Sequence, residues 1–302
     1  MSIAEDAELA FPKDENRFTD ALKSADVLLT FPADFPANFS DKAAPKLGWI
    51  HTMSAGVDRF MVPGLVNSGI ILTNSSGIHA IPIAEHVLGM ILSFERNLHL
   101  SRDYQSKKEW HRFEFGQMSE LRGKTAAVYG LGEIGLRISK ILKAFEVKVI
   151  GIKREKTEKP ELIDKLYSIN DADSALPIAD YVIICLPYTK ETRHMFDANR
   201  LSKMKRGAVI INIGRGGIVD EDALIGQLTS GSLKGAGLDV FEQEPLPVSS
   251  PFYSMPNVIV TPHVSGATPH YIDRATKIFC ENLRHYLNKE PMTNVVDKRR
   301  GY

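Results

Sequence analysis

Short apolar runs alternate with amphipathic stretches along most of the chain. In its middle part the apolar runs recur at regular intervals, and each is short enough to form one buried strand. Between them, apolar residues recur every three or four positions, which predicts helices with one buried face. This alternation predicts an α/β fold with a parallel sheet that helices cover on both faces. The predicted strands span residues 125–129, 147–152, 166–169, 181–185, 208–213, 235–240 and 258–261.

The two ends of the chain show the same α/β pattern on a smaller scale. Apolar runs at 27–30, 47–51 and 70–73 predict three buried strands, and a long helical pattern follows at 81–100. Residues 268–287 are again helical, and we expect them to return to the first part and complete it. The chain should therefore form two domains. The predicted boundaries are 1–95 with 269–302 for the smaller domain and 96–268 for the larger one.

A glycine-rich turn, GLGEIG, follows the first strand of the larger domain and opens a helix. Strand, glycine turn and helix in this order are the context of a dinucleotide-binding Rossmann sheet. Gly130 permits the tight turn, Gly132 lets the backbone approach a pyrophosphate, and Gly135 lets the helix pack against the strand. The N–H groups at the start of the helix, at Glu133 and Ile134, then face the phosphates. A merely structural turn is the alternative interpretation.

Two basic residues follow the second strand of this series. Lys153 stands 21 residues beyond Gly132, about where an acidic residue would bind the ribose 2′-hydroxyl of NAD. A lysine cannot accept that hydrogen bond, whereas Lys153 and Arg154 together suit a 2′-phosphate. The alternative is a solvated basic loop, because further lysines and glutamates follow. The sequence therefore favours NADP(H) over NAD(H).

Other residues with useful chemistry also follow predicted strands, where parallel α/β sheets bind their ligands. Leu186 and Pro187 come after one strand, and because proline cannot continue a central strand, the chain should leave the sheet near the cofactor. Ile213 ends the next strand and is followed by Gly214 and Arg215. Glycines let the backbone turn sharply and direct one side chain, so we interpret this arginine as functional. A surface arginine is the alternative.

A glutamate and a histidine follow the last two predicted strands. Glu244 lies in the segment FEQEPLP, which also carries Glu242, and His263 lies in TPHVSG. A lone histidine is usually structural, and the chain has nine. His263, however, follows a strand of the same predicted sheet as Arg215 and Glu244. We therefore predict that three loops bring these three side chains together.

Composition excludes several classes of function. The 302 residues include 37 Lys or Arg and 37 Asp or Glu, so the formal net charge is zero and nothing favours a nucleic-acid partner. No stretch approaches the ~18 consecutive apolar residues of a membrane helix, and the N-terminus does not resemble a signal peptide. Cys185 and Cys280 form no metal-ligand pattern, which favours buried reduced thiols and no metal site. We expect a cytoplasmic protein.

Seven segments carry a family resemblance. They are SAGVD, AEHVLGMIL, GLGEIG, LPYTKET, INIGRGGIVDEDAL, GLDVFEQEP and TPHVSG. In this order they resemble the D-isomer-specific 2-hydroxyacid dehydrogenases, which include glyoxylate/hydroxypyruvate reductases, D-lactate dehydrogenases and phosphoglycerate dehydrogenases. The resemblance implies a doubly wound Rossmann domain and a smaller, flavodoxin-like α/β domain, with the active site in the cleft. It also implies reduction of a small 2-keto acid to the D-2-hydroxy acid by hydride from a nicotinamide cofactor.

The resemblance implies a role for each predicted catalytic residue. Arg215 looks like the residue that holds the substrate's carboxylate and keto oxygen, a contact that a planar guanidinium suits. His263 looks like the proton donor to the carbonyl. Glu244 looks like its partner, because a carboxylate beside an imidazole favours the protonated ring. Backbone N–H groups at Ala55 and Gly56 would bind the substrate carboxylate from the smaller domain.

The same resemblance extends the set of expected cofactor contacts. Asp239 resembles the family's residue near the nicotinamide amide, and a loop-capping carboxylate is the alternative interpretation. The other expected contacts beyond the glycine turn and the basic pair are Leu186, Pro187, Thr192, Ile213, Gly214, Ser265 and Gly266.

Two parts of the chain are less typical. The family's small domain usually begins with an apolar strand and a helix, but residues 1–18 offer little room for both, so the first β-α unit looks shortened or missing. Residues 101–122 predict a connecting arm that would pack on a second subunit and form a homodimer. A loop covering its own domain is the alternative. The aromatic residues of this arm are Tyr104, Trp110, Phe113 and Phe115.

Two other functions are compatible with parts of this pattern. A dinucleotide-sensing binding protein without turnover could use the same scaffold, although Arg215, Glu244 and His263 argue against it. An enzyme with the same fold could oxidise formate, but formate lacks the carbonyl that His263 would protonate. The favoured partner is therefore a small 2-keto or 2-hydroxy acid.

Overall fold

The computed structural model describes residues 7–12, 14–114, 116–155 and 158–301. The described residues form two compact units. Unit 1 comprises those up to His79 together with those from Thr268 onward, and unit 2 comprises those within Ala80–Ala267. None of the helices in these ranges is both long and apolar enough to cross a membrane.

The elements are numbered in chain order. The α-helices are α1 (Glu15–Leu22), α2 (Pro63–Val66), α3 (Ala80–Glu95), α4 (Leu98–Ser106), α5 (Glu133–Ala144), α6 (Ala198–Ser202), α7 (Glu221–Thr229) and α8 (Tyr271–Asn288). The strands are β1 (Val27–Thr30), β2 (Trp49–Thr52), β3 (Ile71–Asn74), β4 (Thr125–Tyr129), β5 (Lys148–Lys153), β6 (Lys165–Ser168), β7 (Tyr181–Ile184), β8 (Val209–Asn212), β9 (Gly235–Leu238) and β10 (Val258–Val260). Short 3-10 helices lie at Pro32–Asp34, Asp41–Ala43, Asp58–Phe60, Ile169–Ala175, Gly216–Ile218 and Pro251–Tyr253.

Unit 2 is built on a seven-stranded sheet in the order β10-β9-β8-β7-β4-β5-β6, with every pair of strands parallel. All seven predicted strands are present, and their ends differ from the predicted ones by at most two residues. One face buries Leu201 of α6 and Leu224 of α7, and the other buries Val87 of α3 and Ile138 of α5. The predicted doubly wound Rossmann sheet is confirmed. Its strand order reverses between β4 and β7, where such sheets open their ligand crevice.

The long helical pattern at 81–100 forms two helices instead of one. α3 ends at Glu95, and Asn97 adopts the left-handed conformation with φ of 50° before α4 begins. Asparagine tolerates this conformation better than most residues, and the Asn97 amide donates to the carbonyl of Gln117 at 2.9 Å. The predicted domain boundary after residue 95 also differs from the structure. α3 belongs to unit 2 because its apolar face, including Val87 and Phe94, is buried against the large sheet.

Unit 1 contains a three-stranded parallel sheet in the order β1-β2-β3. This order agrees with the last three strands of a flavodoxin-like sheet. The two chain segments of the unit share one core. The ring of Trp49 stacks on Phe279 of α8 with ring centroids 5.3 Å apart, and the Val296 N–H donates to the carbonyl of Leu72 at 2.8 Å. The helix predicted at 268–287 therefore completes this unit.

Two predictions fall partly outside the described residues. The expectation of a shortened first β-α unit concerns residues 1–18, of which 1–6 and 13 lie outside them. The described remainder includes the start of α1, where the Asp14 carboxylate accepts a hydrogen bond from the Arg17 N–H at 2.9 Å. Phe115 of the predicted arm also lies outside the described residues.

Candidate active site

The glycine turn after β4 is crowded at two positions and open at the third. Gly130 has φ of 98°, a conformation that favours glycine, and a Cβ there would lie 2.7 Å from the carbonyl oxygen of Cys185. A Cβ at Gly135 would overlap the Gly130 carbonyl oxygen, so α5 can pack on the turn only with glycine there. At Gly132, the N-cap of α5, a Cβ would meet nothing within 4 Å. This open side fits the approach of a pyrophosphate to the N–H groups that begin at Glu133.

The loop after β7 is stabilised by Thr192, which is buried. Its hydroxyl donates to the Pro187 carbonyl at 2.7 Å and accepts from the Thr189 N–H at 2.8 Å. A Cβ on Gly214 would lie 2.7 Å from the Leu186 carbonyl oxygen, so the loops after β7 and β8 are in contact. The structure thus groups these loops at the crevice, and the binding of a cofactor there stays a prediction. The predicted contacts in the two loops are Leu186, Pro187, Thr192, Ile213 and Gly214.

The basic pair lies at the carboxyl end of β5, beside β4. Lys153 is the last residue of the strand, and Arg154 follows it. A hydrogen bond from Thr189 holds the pKa of Glu191 below its ordinary value, and the charge of Arg154 adds to this effect. The pair therefore lies at the same edge of the sheet as the glycine turn, which follows the neighbouring strand β4.

Arg215 lies in a sharp turn that Asn212 holds from both ends. The Asn212 amide donates to the Arg215 carbonyl at 2.9 Å, and its oxygen accepts from the Gly214 N–H at 3.1 Å. Nη1 of Arg215 donates to the Gly214 carbonyl at 2.8 Å. A Cβ at Gly216 would overlap the backbone of Phe241. The Arg215 turn therefore packs directly on the segment that leads to the predicted catalytic glutamate.

The imidazole of His263 contacts the carboxylate of Glu244, as the sequence predicted that they would lie together. Nδ1 of His263 is 2.7 Å from Oε2 of Glu244, and the two side chains are 49% and 36% exposed. The other carboxylate oxygen accepts from the Phe241 N–H at 3.0 Å, which fixes the glutamate. Because Nδ1 faces Glu244, Nε2 lies on the opposite side of the ring. The pair can therefore hold a proton at Nε2 and present it to a small molecule.

The second glutamate of this segment faces a different histidine. Oε1 of Glu242 is 3.1 Å from Nε2 of His194, and the Glu242 N–H donates to Oε1 of Glu221 at 2.7 Å. Burial raises the pKa of Glu221, and this hydrogen bond opposes the shift. The sequence analysis gave no role to His194, which lies outside the seven segments of the resemblance, or to Glu221, which lies within INIGRGGIVDEDAL. The structure thus assigns the two glutamates to separate partners.

Asp239 is fully buried and holds the loop that carries His263. Oδ1 accepts from the Thr261 hydroxyl at 2.6 Å and from the Val264 N–H at 2.9 Å, and Oδ2 accepts from the Ser265 N–H at 3.0 Å. These are the contacts of a loop-capping carboxylate, and an Asp239 contact with nicotinamide stays a prediction. Nε2 of His86 lies 3.1 Å from the Thr261 hydroxyl oxygen. The sequence analysis gave no role to His86, although it lies within the segment AEHVLGMIL of the resemblance.

In unit 1, the loop after β2 is held by side-chain hydrogen bonds. The Asn74 amide donates to the Ala55 carbonyl at 2.8 Å, and the Ser54 hydroxyl donates to the Gly56 carbonyl at 2.7 Å. The bond from Asn74 fixes the peptide plane that carries the Gly56 N–H. A hydrogen bond from the Ser75 N–H to the Ser54 carbonyl at 2.9 Å fixes the plane that carries the Ala55 N–H. Such a rigid loop suits the predicted role of the Ala55 and Gly56 N–H groups in binding a carboxylate.

The two cysteines are present as thiols. Burial raises the pKa of the Cys185 thiol to about 12, so this thiol stays protonated at neutral pH. Cys185 and Cys280 are both free. Within the described ranges, no group of three or more His, Cys, Asp or Glu side chains could hold a metal ion.

The sequence of the chain is similar to a known family model and to known proteins. Residues 88–265 match the family model described as D-isomer specific 2-hydroxyacid dehydrogenase, NAD binding domain. A glyoxylate reductase from Thermofilum pendens is 35% identical to the chain over 293 residues. That alignment covers 95% of this chain and 86% of the relative.

The fold is also similar to those of solved structures. A D-isomer specific 2-hydroxyacid dehydrogenase from Xanthobacter autotrophicus, in complex with NADPH and MES, has a TM-score of 0.83 and 32% identity, covering 93% of this chain and 86% of the other. An NADPH-dependent glyoxylate/hydroxypyruvate reductase from Sinorhizobium meliloti, in complex with NADP and sulfate, has a TM-score of 0.81 and 30% identity. It covers 93% of this chain and 89% of the other.

Proposed function

The chain belongs to the D-isomer-specific 2-hydroxyacid dehydrogenase family, and from this premise we propose that it reduces a small 2-keto acid of the glyoxylate or hydroxypyruvate type. As a family member it is an NAD(P)-dependent oxidoreductase that acts on keto acids. The comparisons give no support to a non-catalytic, dinucleotide-sensing protein. The observation that carries the proposal is the 2.7 Å contact between Nδ1 of His263 and Oε2 of Glu244.

The proposed roles of His263 and Glu244 rest on this contact, and that of Arg215 rests on the family resemblance. His263 holds a proton at Nε2 and donates it to the keto oxygen, while Glu244 stabilises the positive charge on the ring. Arg215 binds the carboxylate and the keto oxygen of the substrate, where negative charge develops during reduction. When bound, the nicotinamide cofactor supplies the hydride.

The substrate carboxylate has a second proposed contact in unit 1. Ala55 and Gly56 offer N–H groups from a loop whose carbonyls are already held by Asn74 and Ser54. Backbone N–H groups bind a carboxylate without adding a charged side chain. Arg215 would therefore remain the main group that recognises the negative charge of the substrate.

The cofactor we propose is NADP(H) in preference to NAD(H). Lys153 and Arg154 at the end of β5 offer two cations where an NAD-binding chain would have an acidic residue. The relatives from Xanthobacter autotrophicus and Sinorhizobium meliloti bind NADPH or NADP. The proposed contacts to the pyrophosphate remain those at the glycine turn, and Asp239 remains the proposed contact near the nicotinamide amide. Ser265 and Gly266 remain proposed cofactor contacts.

Assembly and location stay predictions. We propose a homodimer formed through the arm at 101–122, because Trp110 is 90% exposed and Tyr104 stacks on the neighbouring ring of His111 with centroids 4.0 Å apart. A cytoplasmic location is likewise a proposal from the sequence.

A panel of keto acids tests the proposed reaction. Glyoxylate, hydroxypyruvate and pyruvate are each supplied with NADPH, and we expect oxidation of the cofactor with at least one of them. His263→Ala should lower kcat by about 10²- to 10⁴-fold, because the general acid is lost. The Kd for NADPH, measured by fluorescence, should be unchanged. His270→Ala, at an exposed histidine, is the control, and retained turnover in His263→Ala would contradict the assignment.

A second experiment tests the cofactor. Lys153→Ala should raise the KM for NADPH and leave the KM for NADH nearly unchanged, because only NADPH carries the 2′-phosphate. Lys140→Ala removes an exposed lysine of α5 and serves as the matched control. A wild-type enzyme whose kcat/KM is much higher with NADH than with NADPH would reject the proposed preference.

A further inference from the structure

A chain of three side chains connects α3 to the loop of the proposed proton donor. Nε2 of His86 is 3.1 Å from the hydroxyl oxygen of Thr261, and that hydroxyl is 2.6 Å from Oδ1 of Asp239. A carboxylate only accepts hydrogen bonds, so the Thr261 hydroxyl must donate to Asp239. Its oxygen then accepts from the Nε2–H of His86. The direction of both hydrogen bonds is therefore fixed.

The buried carboxylate at the end of this chain shapes the backbone around His263. Asp239 also accepts from the N–H groups of Val264 and Ser265 at 2.9 and 3.0 Å. The N–H of His263 itself donates to the backbone carbonyls of Asp239 and Thr261 at 2.8 and 3.0 Å. Every one of these bonds tightens the same short turn.

This turn holds His263 in an unusual conformation. Its φ is 54°, in the left-handed region that residues other than glycine rarely adopt. Such a conformation persists only where the surrounding structure determines it strongly. Here the determinants are the hydrogen bonds to Asp239, and the conformation aims the imidazole at Glu244.

We propose that His86 and Thr261 are positioning residues for the reaction. They orient the Asp239 carboxylate and, through it, the left-handed turn that presents His263 to Glu244 and to the substrate. His86 suits this task because it lies on α3, a helix anchored on the large sheet through Val87 and Ile91. Neither residue needs to touch substrate or cofactor. The inference rests on the proposed role of His263 as proton donor.

Two matched pairs of variants test the hydrogen bonds that link His86, Thr261 and Asp239. Thr261→Val keeps the shape of the side chain but removes the hydroxyl, and Thr261→Ser keeps the hydroxyl. His86→Leu removes the ring donor, and His86→Gln replaces it with an amide donor. Because a small misplacement of a catalytic group lowers rates steeply, we expect kcat to fall about 10²-fold in Thr261→Val and His86→Leu. Thr261→Ser should restore most of this loss and His86→Gln part of it.

The Kd for NADPH, the KM for the keto acid and the thermal stability distinguish a positioning role from a role in cofactor binding or in stability alone. The KM for the keto acid should change little, and kcat should fall much more than the Kd for NADPH rises, since neither residue binds either molecule directly. A raised Kd for NADPH with unchanged kcat would overturn the proposal, because His86 and Thr261 would then serve only the proposed contact of Asp239 with the cofactor. Lower thermal stability in Thr261→Val and His86→Leu with unchanged kcat would overturn it in favour of a purely structural role.

A readout without turnover distinguishes this inference from the proposed function. In protein labelled with ¹⁵N-histidine, the ring resonances of His263 should shift in Thr261→Val and stay near their wild-type positions in Thr261→Ser. If no keto acid is reduced but the resonances shift in this way, the proposed reaction is wrong. The proposed positioning role of His86 and Thr261 is then still supported. If the His263 resonances are identical in all the variants, the positioning role of His86 and Thr261 is rejected, regardless of which keto acids the enzyme reduces.

Discussion

His51 is a buried histidine of β2 whose two ring nitrogens both have hydroxyl partners. Nδ1 lies 2.7 Å from the Thr73 hydroxyl oxygen, and Nε2 lies 3.2 Å from that of Ser75. The Ser75 hydroxyl donates to the Thr52 carbonyl at 3.1 Å, so it accepts from Nε2–H, and Thr73 donates to Nδ1. One neutral tautomer therefore satisfies the whole network. Burial lowers the pKa of His51 from 6.5 to about 4.

This pKa shift predicts a pH dependence of stability. As the pH falls from about 6.5 towards 4, the unfolded chain binds a proton that the folded chain does not, so the free energy of unfolding decreases. The expected loss is about 2 kcal/mol at pH 5, and above pH 6.5 the contribution of this group is constant. Urea unfolding at pH 7 and pH 5 measures it.

Two variants isolate the effect of His51. His51→Gln should lose less stability than wild type between pH 7 and pH 5, because the glutamine at position 51 does not titrate in this range. His270→Ala, in the same unit but at an exposed histidine, should behave like wild type. If His51→Gln and wild type lose equal stability over this range, the predicted pKa of His51 is wrong.

Residues of unit 2 differ in how far the sequence could predict their contacts. Glu244 and His263 follow β9 and β10, which are neighbouring parallel strands, so assigning the strands was enough to place both residues at one edge of the sheet. The contact of His86 with Thr261 could not be predicted in this way. It depends on how α3 is rotated against the sheet, which the many packed side chains of the unit decide together.

At the scale of elements, the turn between β4 and α5 predicts different results for two of its glycines. Gly135→Ala should lower the free energy of unfolding by about 1–3 kcal/mol, because the added methyl group overlaps the Gly130 backbone. Gly132→Ala should leave stability nearly unchanged, since the methyl group would enter open space. The same methyl group would stand on the path that we propose for the pyrophosphate, so Gly132→Ala should weaken NADPH binding.

Thermal unfolding and NADPH fluorescence titration separate the two outcomes. Each glycine variant serves as the control for the other, because both add one methyl group to the same turn. A Gly132→Ala variant that binds NADPH as wild type does would contradict the proposed path of the phosphates.

The elements themselves were predictable where periodicity alone determines them. The strands of the large sheet are continuous apolar runs between polar turns, so their existence and order in the chain could be deduced from the sequence. The break between α3 and α4 could not, because apolar periodicity continues through residue 100. The left-handed Asn97 that separates the helices is stabilised by Gln117, a contact remote in sequence.

For the whole molecule, the division into units predicts that unit 2 can fold alone. It is continuous in the chain and contains both cores of its sheet. A chain of residues 80–267 should unfold cooperatively and bind NADPH, but it should not reduce keto acids, because it lacks the proposed substrate contacts at Ala55 and Gly56. Circular dichroism and fluorescence titration measure these properties.

The same shortened chain carrying Gly132→Ala provides the control for specific binding, and it should bind NADPH more weakly. Failure of the 80–267 chain to unfold cooperatively would show that unit 2 depends on the rest of the molecule. The boundary at residue 80 could not be predicted from sequence, because α3 is long and apolar enough to belong to either unit.

The discontinuity of unit 1 has a consequence for synthesis on the ribosome. Translation delivers β1, β2 and β3 first, then all of unit 2, and only afterwards α8 and the segment that pairs Val295 with Thr73. Until then the nascent sheet lacks Phe279, against which Trp49 stacks. The large unit can thus mature during elongation, whereas the small one must wait, with the aromatic surface around Trp49 uncovered, until α8 and the segment after it have been translated.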